Sequence, residues 1–220
     1  MNPQHKYRIV IFAKAPLPGQ AKTRLSPALG AIGAAELAKK LLRHCVNEAL
    51  KADIGAVELC VAPSIHHPIW HELDIPKTVE WSEQGEGDLG ERLARSTQRA
   101  TAQGETVLLI GTDCPGLTAE ILWETAQSLA HHQACIVPVS DGGYALLGLH
   151  QYHPSAFLDM PWSTNKVAQI TRKRLHDLGI FLHEFPILND IDEPSDLKYL
   201  PDCLKPGIPD VSRIKTGHHE

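Results

Sequence analysis

In the stretch Thr106-Val-Leu-Leu-Ile-Gly-Thr-Asp-Cys-Pro115, an apolar run of strand length ends in Gly111 and then presents a carboxylate, Asp113. An unbroken Val-Leu-Leu-Ile run has no polar face, so it predicts a strand buried on both sides in the middle of a parallel sheet. Asp113 then stands at the carboxyl end of that strand. Open α/β sheets bind ligands at that end, and an acid there can hold a divalent metal against a phosphorylated substrate. Position alone equally allows Asp113 to cap the helix that starts near Thr118.

Outward from this strand, apolar runs alternate with helical patterns. Tyr7-Arg-Ile-Val-Ile-Phe-Ala13 predicts a first strand, which delivers the next loop to the same sheet edge if the two strands are parallel. That loop, Lys14-Ala-Pro-Leu-Pro-Gly-Gln-Ala-Lys-Thr-Arg-Leu25, carries Lys14, Lys22 and Arg24. Proline stiffens it, Gly19 lets backbone approach a ligand, and an ammonium beside a forked guanidinium suits phosphate oxygens. A solvated basic turn is the plainer alternative. The Walker pattern is absent.

Residues 27–52 have the three-and-four apolar spacing of a crossover helix, through Leu37, Leu41, Leu42, Cys45, Val46 and Ala49. Strands are expected at 56–62, 78–81, 134–139 and 180–185, and helices at 118–130 and from about 163 to 178. Gln84-Gly-Glu-Gly-Asp-Leu-Gly-Glu-Arg92 allows a flexible flap over a bound nucleotide, which makes Asp88 a candidate nucleotide-binding residue. Asp88 and Glu91 also fit a helix capping box. In Ser140-Asp-Gly-Gly-Tyr144, Gly142 and Gly143 either form a hairpin turn or clear space for a substrate that Asp141 faces. His66, His67 and His71 have a spacing open to a metal, or form a surface turn beside Pro68.

The 220 residues suit a single α/β domain, a mostly parallel sheet flanked by helices over 1–200, with a loosely structured tail over 201–220. A formal charge of -5 gives no basic field for nucleic acid, so a polyanionic ligand must meet a local cluster of cations. Five cysteines without a C-x-x-C pair suit a reducing compartment. No run has secretory or membrane-spanning length, so a soluble, cytoplasmic protein without membrane partners is expected. The oligomeric state is left open.

Five segments in order, Phe12-Ala-Lys-Ala-Pro-Leu-Pro-Gly-Gln-Ala-Lys-Thr-Arg-Leu25, Gly87-Asp-Leu-Gly-Glu-Arg92, Ile110-Gly-Thr-Asp-Cys-Pro115, Asp141-Gly-Gly-Tyr-Ala-Leu-Leu-Gly148 and Asp190-Ile-Asp-Glu-Pro-Ser-Asp-Leu197, resemble a bacterial family of assigned glycosyltransferases. That family has the glycosyltransferase-A, or nucleotide-diphospho-sugar transferase, fold (Rossmann-like) and is sometimes linked to arsenosugar biosynthesis. The Lys22-Thr-Arg-Leu25 loop is also similar to that of phospholactate guanylyltransferases, and more loosely to molybdenum-cofactor guanylyltransferases and sugar-phosphate uridylyltransferases. The resemblance implies metal ligands at Asp113 and Asp192. Many glycosyltransferases of this fold carry Asp-x-Asp, whereas Asp113-Cys-Pro115 is closer to the Asp-x-Pro of nucleotidyltransferases.

The implied chemistry is transfer of a sugar from a nucleoside-diphosphate sugar to a small hydroxylated acceptor. The alternative passes a nucleoside monophosphate from a triphosphate to a phosphorylated small molecule, releasing pyrophosphate; a second alternative is a non-catalytic nucleotide-binding protein. In the enzyme readings Mg2+ or Mn2+ lies on Asp113 and Asp192, Lys22 and Arg24 with Lys14 contact phosphates, and Asp141 serves the acceptor.

Overall fold

A computed structural model describes residues 6–205. In chain order its regular elements are β1 (Lys6–Lys14), α1 (Ser26–Lys51), β2 (Gly55–Ala62), β3 (Glu80–Glu83), α2 (Leu89–Ala102), β4 (Glu105–Ile110), α3 (Ala119–Leu129), β5 (Ala134–Pro138), β6 (Tyr144–Leu149), α4 (Val167–Asp177) and β7 (Leu182–Glu184). The strands form one sheet in the order β3-β2-β1-β4-β6-β5-β7. Only β6 runs against its neighbours, pairing antiparallel with both β4 and β5, among the described residues.

The sheet order follows from burial. All six residues of β4 are buried, as an apolar run without alternation requires, and the strand lies at the middle of the sheet. Its parallel partner is β1; its other partner is the antiparallel β6, so the expectation of parallel neighbours holds on one side only. The Asp141-Gly142-Gly143 turn causes this, because a tight hairpin can only return the chain antiparallel to β5. In β1, Ile9, Ile11 and Ala13 pack with α1 and α3 on one face, and Val10 and Phe12 with α2 and α4 on the other.

Several boundaries differ from the sequence reading. The third strand is shifted to Glu80–Glu83. In α4 the helix starts only at Val167, since Ser163 holds a left-handed φ of 62° that a helix cannot continue. Leu178, the last residue of the expected helix, is 49% exposed beyond the observed end. Gly30 (φ 70°, ψ 165°) kinks the first turn of α1. Of the expected tail, Asp202–Leu204 forms a 3-10 turn whose Leu204 packs with Leu25, Leu37 and Ile191, and residues 206–220 lie outside the described residues. No helix of the described residues is long and apolar enough to cross a membrane.

Strands β1, β4 and β5 run the same way, so the loops that leave them emerge at one edge. The segment that follows β7 crosses this edge. Ser140 N–H donates to Leu188 O at 3.1 Å, Leu188 N–H to Pro138 O at 2.9 Å, and Ile191 N–H to Asp113 O at 2.8 Å. Ile191 is fully buried, so the acids on either side of it, Asp190 and Asp192, are fixed beside the end of β4.

Candidate functional site

The loop after β1 is held from within. Ala15 N–H donates to Ala62 O at 2.8 Å, and the Leu17 carbonyl accepts from Gln20 and Ala21 at 3.0 Å each. Leu25 anchors the far end in the core beside Ile191. Between these anchors Lys22 takes a left-handed backbone (φ 49°, ψ 43°), uncommon for a residue with a Cβ. This turns its side chain inward.

The Lys22 side chain is 7% exposed, and its Nζ lies 2.6 Å from Asp113 Oδ1 and 2.7 Å from Asp192 Oδ1. Nζ also donates to the Ile191 carbonyl at 2.7 Å. Burial disfavours the ammonium, but the charges of Asp113 and Asp192 outweigh it and raise the lysine pKa above its ordinary value. Two acids 79 residues apart in sequence thus meet on one cation of the first loop.

A second acidic group adjoins this one. Asp141, Asp190 and Asp192 each offer a carboxylate oxygen, and these oxygens lie within 4.8 Å of one another. Burial, then the charges of Asp141 and Asp192, push the Asp190 carboxyl up to about 6. An all-oxygen, multiply charged donor set suits a hard divalent ion such as Mg2+ or Mn2+ rather than a soft metal. This donor set fits the kind of metal that the sequence suggested; it contains Asp192 but not Asp113, which meets Asp192 through Lys22. Asp190 was not among the expected site residues; the i, i+2 spacing of Asp190 and Asp192 in an extended segment, which puts both on one side, was the available signal.

Asp190 gives a first prediction. Its folded pKa stands above the ordinary 3.8, so the native state keeps a proton that the unfolded chain loses. That stabilisation is complete below pH 3.8 and disappears as the pH rises through about 6. Asp190→Asn, which mimics the neutral form, is expected to stabilise the metal-free protein by about 1 kcal/mol near neutral pH, after discounting for its partly exposed position. The gain should vanish toward about pH 4. Urea denaturation at several pH values measures it, and a difference that does not change with pH would contradict this account.

The remaining candidates take distinct places. Asp141 lies in the β5–β6 turn, where its Oδ1 accepts from Gly143 N–H at 2.7 Å. Gly142 (φ 91°) lies against Asn165, so close that a Cβ would come 2.2 Å from the Asn165 carbonyl oxygen. The segment is thus a hairpin turn, in which the space beside Gly142 is taken by Asn165, and the turn places Asp141 in the acidic group. Asp113 does not cap α3. Thr118 accepts from Ile121 N–H at 3.5 Å, and Glu48 of α1 accepts from Ala119 N–H at 2.7 Å.

Lys14 ends β1 and is exposed, as are Gly19 (φ 73°) and Arg24. Asp88 forms the capping box of α2, accepting from Glu91 N–H at 2.9 Å while Glu91 accepts from Asp88 N–H at 2.8 Å. The glycine-rich loop before it is tied down, since Arg95 donates to Glu86 O at 2.8 Å and Arg92 to Gly87 O at 2.9 Å. Buried Gln84 anchors it to β1 and β2, donating to Ala13 O and Cys60 O at 3.1 Å each. A loop held at these points is not the free flap that its glycine content suggested. His66, His67 and His71 form a surface turn in which His67 Nδ1 accepts from Ile69 N–H at 3.2 Å, and they belong to no metal-holding group among the described residues.

A family model described as "Uncharacterized protein conserved in bacteria (DUF2064)" matches residues 45–164. Among curated proteins nothing matches. A solved structure from Desulfovibrio desulfuricans G20, named for a candidate nucleotide-diphospho-sugar transferase, is 27% identical with a TM-score of 0.80, covering 86% of this chain and 83% of that one. The 4-diphosphocytidyl-2C-methyl-D-erythritol synthase of Anaerococcus prevotii DSM 20548 is 11% identical with a TM-score of 0.60, covering 90% and 97%. The CMP:2-keto-3-deoxy-manno-octonic acid synthetase solved with CTP is also 11% identical, with a TM-score of 0.56, covering 88% and 96%. The fold is that of the nucleotide-diphospho-sugar transferases, a single α/β domain with a mostly parallel seven-stranded sheet.

Proposed function

The chain belongs to the DUF2064 family, and we propose that its cleft at the carboxyl edge of the sheet transfers a sugar from a nucleoside-diphosphate sugar to a small hydroxylated acceptor, with a divalent metal. The observation that carries this reading is the convergence of Asp113 and Asp192 on Lys22, beside the acidic group of Asp141 and Asp190. The D. desulfuricans relative supports the nucleotide-sugar donor.

Lys22, Arg24 and Lys14 bind the donor's phosphates from the first loop. A forked guanidinium and two ammoniums on one loop counter the several negative charges of a diphosphate. Asp113 and Asp192 would hold Mg2+ or Mn2+, with Asp190 adjoining Asp192. The ion, when bound, neutralises the charge that develops on the departing phosphate. Asp141, fixed by its bond to Gly143, orients the acceptor hydroxyl or takes its proton. Gly142 lets the Asp141 turn pack against the Asn165 backbone and so holds Asp141 in place.

A second reading, nucleotidyl transfer from a nucleoside triphosphate, is favoured by the Lys22-Thr23-Arg24 loop and by Asp113 being followed by Cys114 and Pro115 rather than by a second acid. Incubation with Mg2+ and an acceptor pool separates the two, because only nucleotidyl transfer releases pyrophosphate and only glycosyl transfer consumes nucleotide sugars. A protein that binds nucleotides without turnover would bind them equally with and without metal.

The exposed guanidinium of Arg24 supplies a narrower check. Arg24→Ala is expected to weaken nucleotide binding several-fold, the share of one exposed charge-assisted contact. Calorimetric titration measures it, and an unchanged dissociation constant returns Arg24 to a solvated turn.

A further inference from the structure

The ammonium of Lys22 has three N–H donors; it donates to Asp192 Oδ1 and to the Ile191 carbonyl at 2.7 Å each, and lies in an ion pair 2.6 Å from Asp113 Oδ1. Two donors and the charge are therefore committed to the protein. Held between two carboxylates, Lys22 has little charge left to offer a phosphate from this position. Nor can a dication take Asp113 and Asp192 while a buried ammonium sits between them, since the like charges repel and the same oxygens are already engaged.

We propose that Lys22 is an exchangeable placeholder for the metal: in the ligand-free protein its ammonium fills the cation position between Asp113 and Asp192, and it is released to the donor's phosphates when a divalent ion takes those carboxylates. The inference rests on the proposed metal-dependent nucleotide site and adds its order of assembly. Without a cation, Asp113 and Asp192 would stand uncompensated beside Asp141 and Asp190, an arrangement costly for the apo fold. With Lys22 in place that repulsion is balanced by a side chain only 7% exposed, between carboxylates that are 49% and 36% exposed. The backbone that carries Lys22 suits an element with two arrangements. It is left-handed at Lys22, it follows Gly19 (φ 73°), and its outer residues are exposed while Leu25 holds the far end. Phosphate and metal then bind cooperatively, because each favours the released lysine.

The test uses the full chain and metal alone. Mn2+ titration followed by electron paramagnetic resonance, on wild type and on Lys22→Met, should show about tenfold tighter binding by the variant, within the usual range of such couplings. Equal or weaker binding by Lys22→Met would overturn the placeholder and leave the metal reading standing. No Mn2+ binding by either protein would overturn both.

If Lys22→Met does not fold, the wild type carries the test through reductive methylation read by mass spectrometry. Saturating Mg2+ should raise labelling of Lys22 several-fold while Lys173, exposed on α4 and paired with Asp177, stays constant. Unchanged Lys22 labelling, in a protein shown by titration to bind the ion, would overturn the exchange.

Discussion

Asp192→Asn is expected to lose roughly a thousandfold or more of turnover, the several kcal/mol of charge stabilisation that a misplaced metal no longer supplies. The physical reason is that Asp192 alone belongs to both acidic contacts, the ion pair with Lys22 and the group with Asp141 and Asp190. Asparagine keeps the shape and one oxygen but removes the charge that a hard cation requires. The fold should persist, because Lys22 keeps Asp113 and the Ile191 carbonyl as partners. The backbone at this point is held independently, with Asp192 N–H and Glu193 N–H donating to Asp196 Oδ2 at 3.1 and 2.7 Å, and removing one of several like charges relieves repulsion. The check is turnover by the pyrophosphate or nucleotide-sugar assay beside a melting curve. Full activity in a folded Asp192→Asn variant would remove the carboxylate from the chemistry and with it the metal site as drawn here.

How much of this was legible in the sequence depended on the range of the interaction involved. The central strand was legible because burial on both faces leaves an unbroken Val107-Leu108-Leu109-Ile110 run, and Asp113 followed from its place at that strand's end. The antiparallel insertion of β6 between β4 and β5 was half legible. The Asp141-Gly142-Gly143 turn announced a hairpin, but no local pattern tells which further strand the returning one will meet.

Asp192 entered only through resemblance. Its partner is 79 residues away, and the contact is created by the Ile191 amide bonding to Asp113 O, a tertiary event with no periodicity. For Asp190 the i, i+2 spacing from Asp192 was the one local signal, while its raised pKa comes from burial and from Asp141, which a linear reading does not show. The inward turn of Lys22 was also hidden. A basic loop between prolines reads as solvated or as phosphate-binding, and only coordinates show its ammonium already spent on carboxylates. The start of α4 was misjudged because nothing in Trp162-Ser163 signals a left-handed serine.

Arg8→Met is expected to destabilise the protein by about 3–5 kcal/mol, the usual cost of stranding buried charges. Arg8 lies in β1 near the edge opposite the site and is only 7% exposed. Its guanidinium meets three acids. It pairs with both oxygens of Glu105, the nearer contact through Nε, and its Nη1 lies 3.1 Å from Glu58 and 2.6 Å from Glu80. Glu105 and Glu58 are almost fully buried, at 1% each, and Arg99 of α2 and Lys6 complete the network as the other partners of Glu58 and Glu105. Burial alone would raise the Glu105 carboxyl, but the bonds to Arg8 and Lys6 prevail and hold it below the ordinary 4.5. The stabilisation this carboxylate contributes is therefore present above pH 4.5 and lost as the pH falls through its depressed value. Methionine fills the volume of the arginine stem but leaves Glu105 with Lys6 alone, a side chain that is 67% exposed. Denaturant unfolding measures the loss, and the double variant Arg8→Met with Glu105→Met should recover part of it, because a buried pair replaced on both sides by apolar groups costs far less than a broken one. A loss below about 1 kcal/mol for Arg8→Met would mean that water or the remaining cations reach these acids and that the network is not dry. Lys14 stands six residues further along the same strand, roughly 20 Å away at strand rise. At that distance Arg8→Met should leave nucleotide and metal affinity of the folded protein unchanged, which separates the charge network that holds the sheet from the one proposed to work on its substrate.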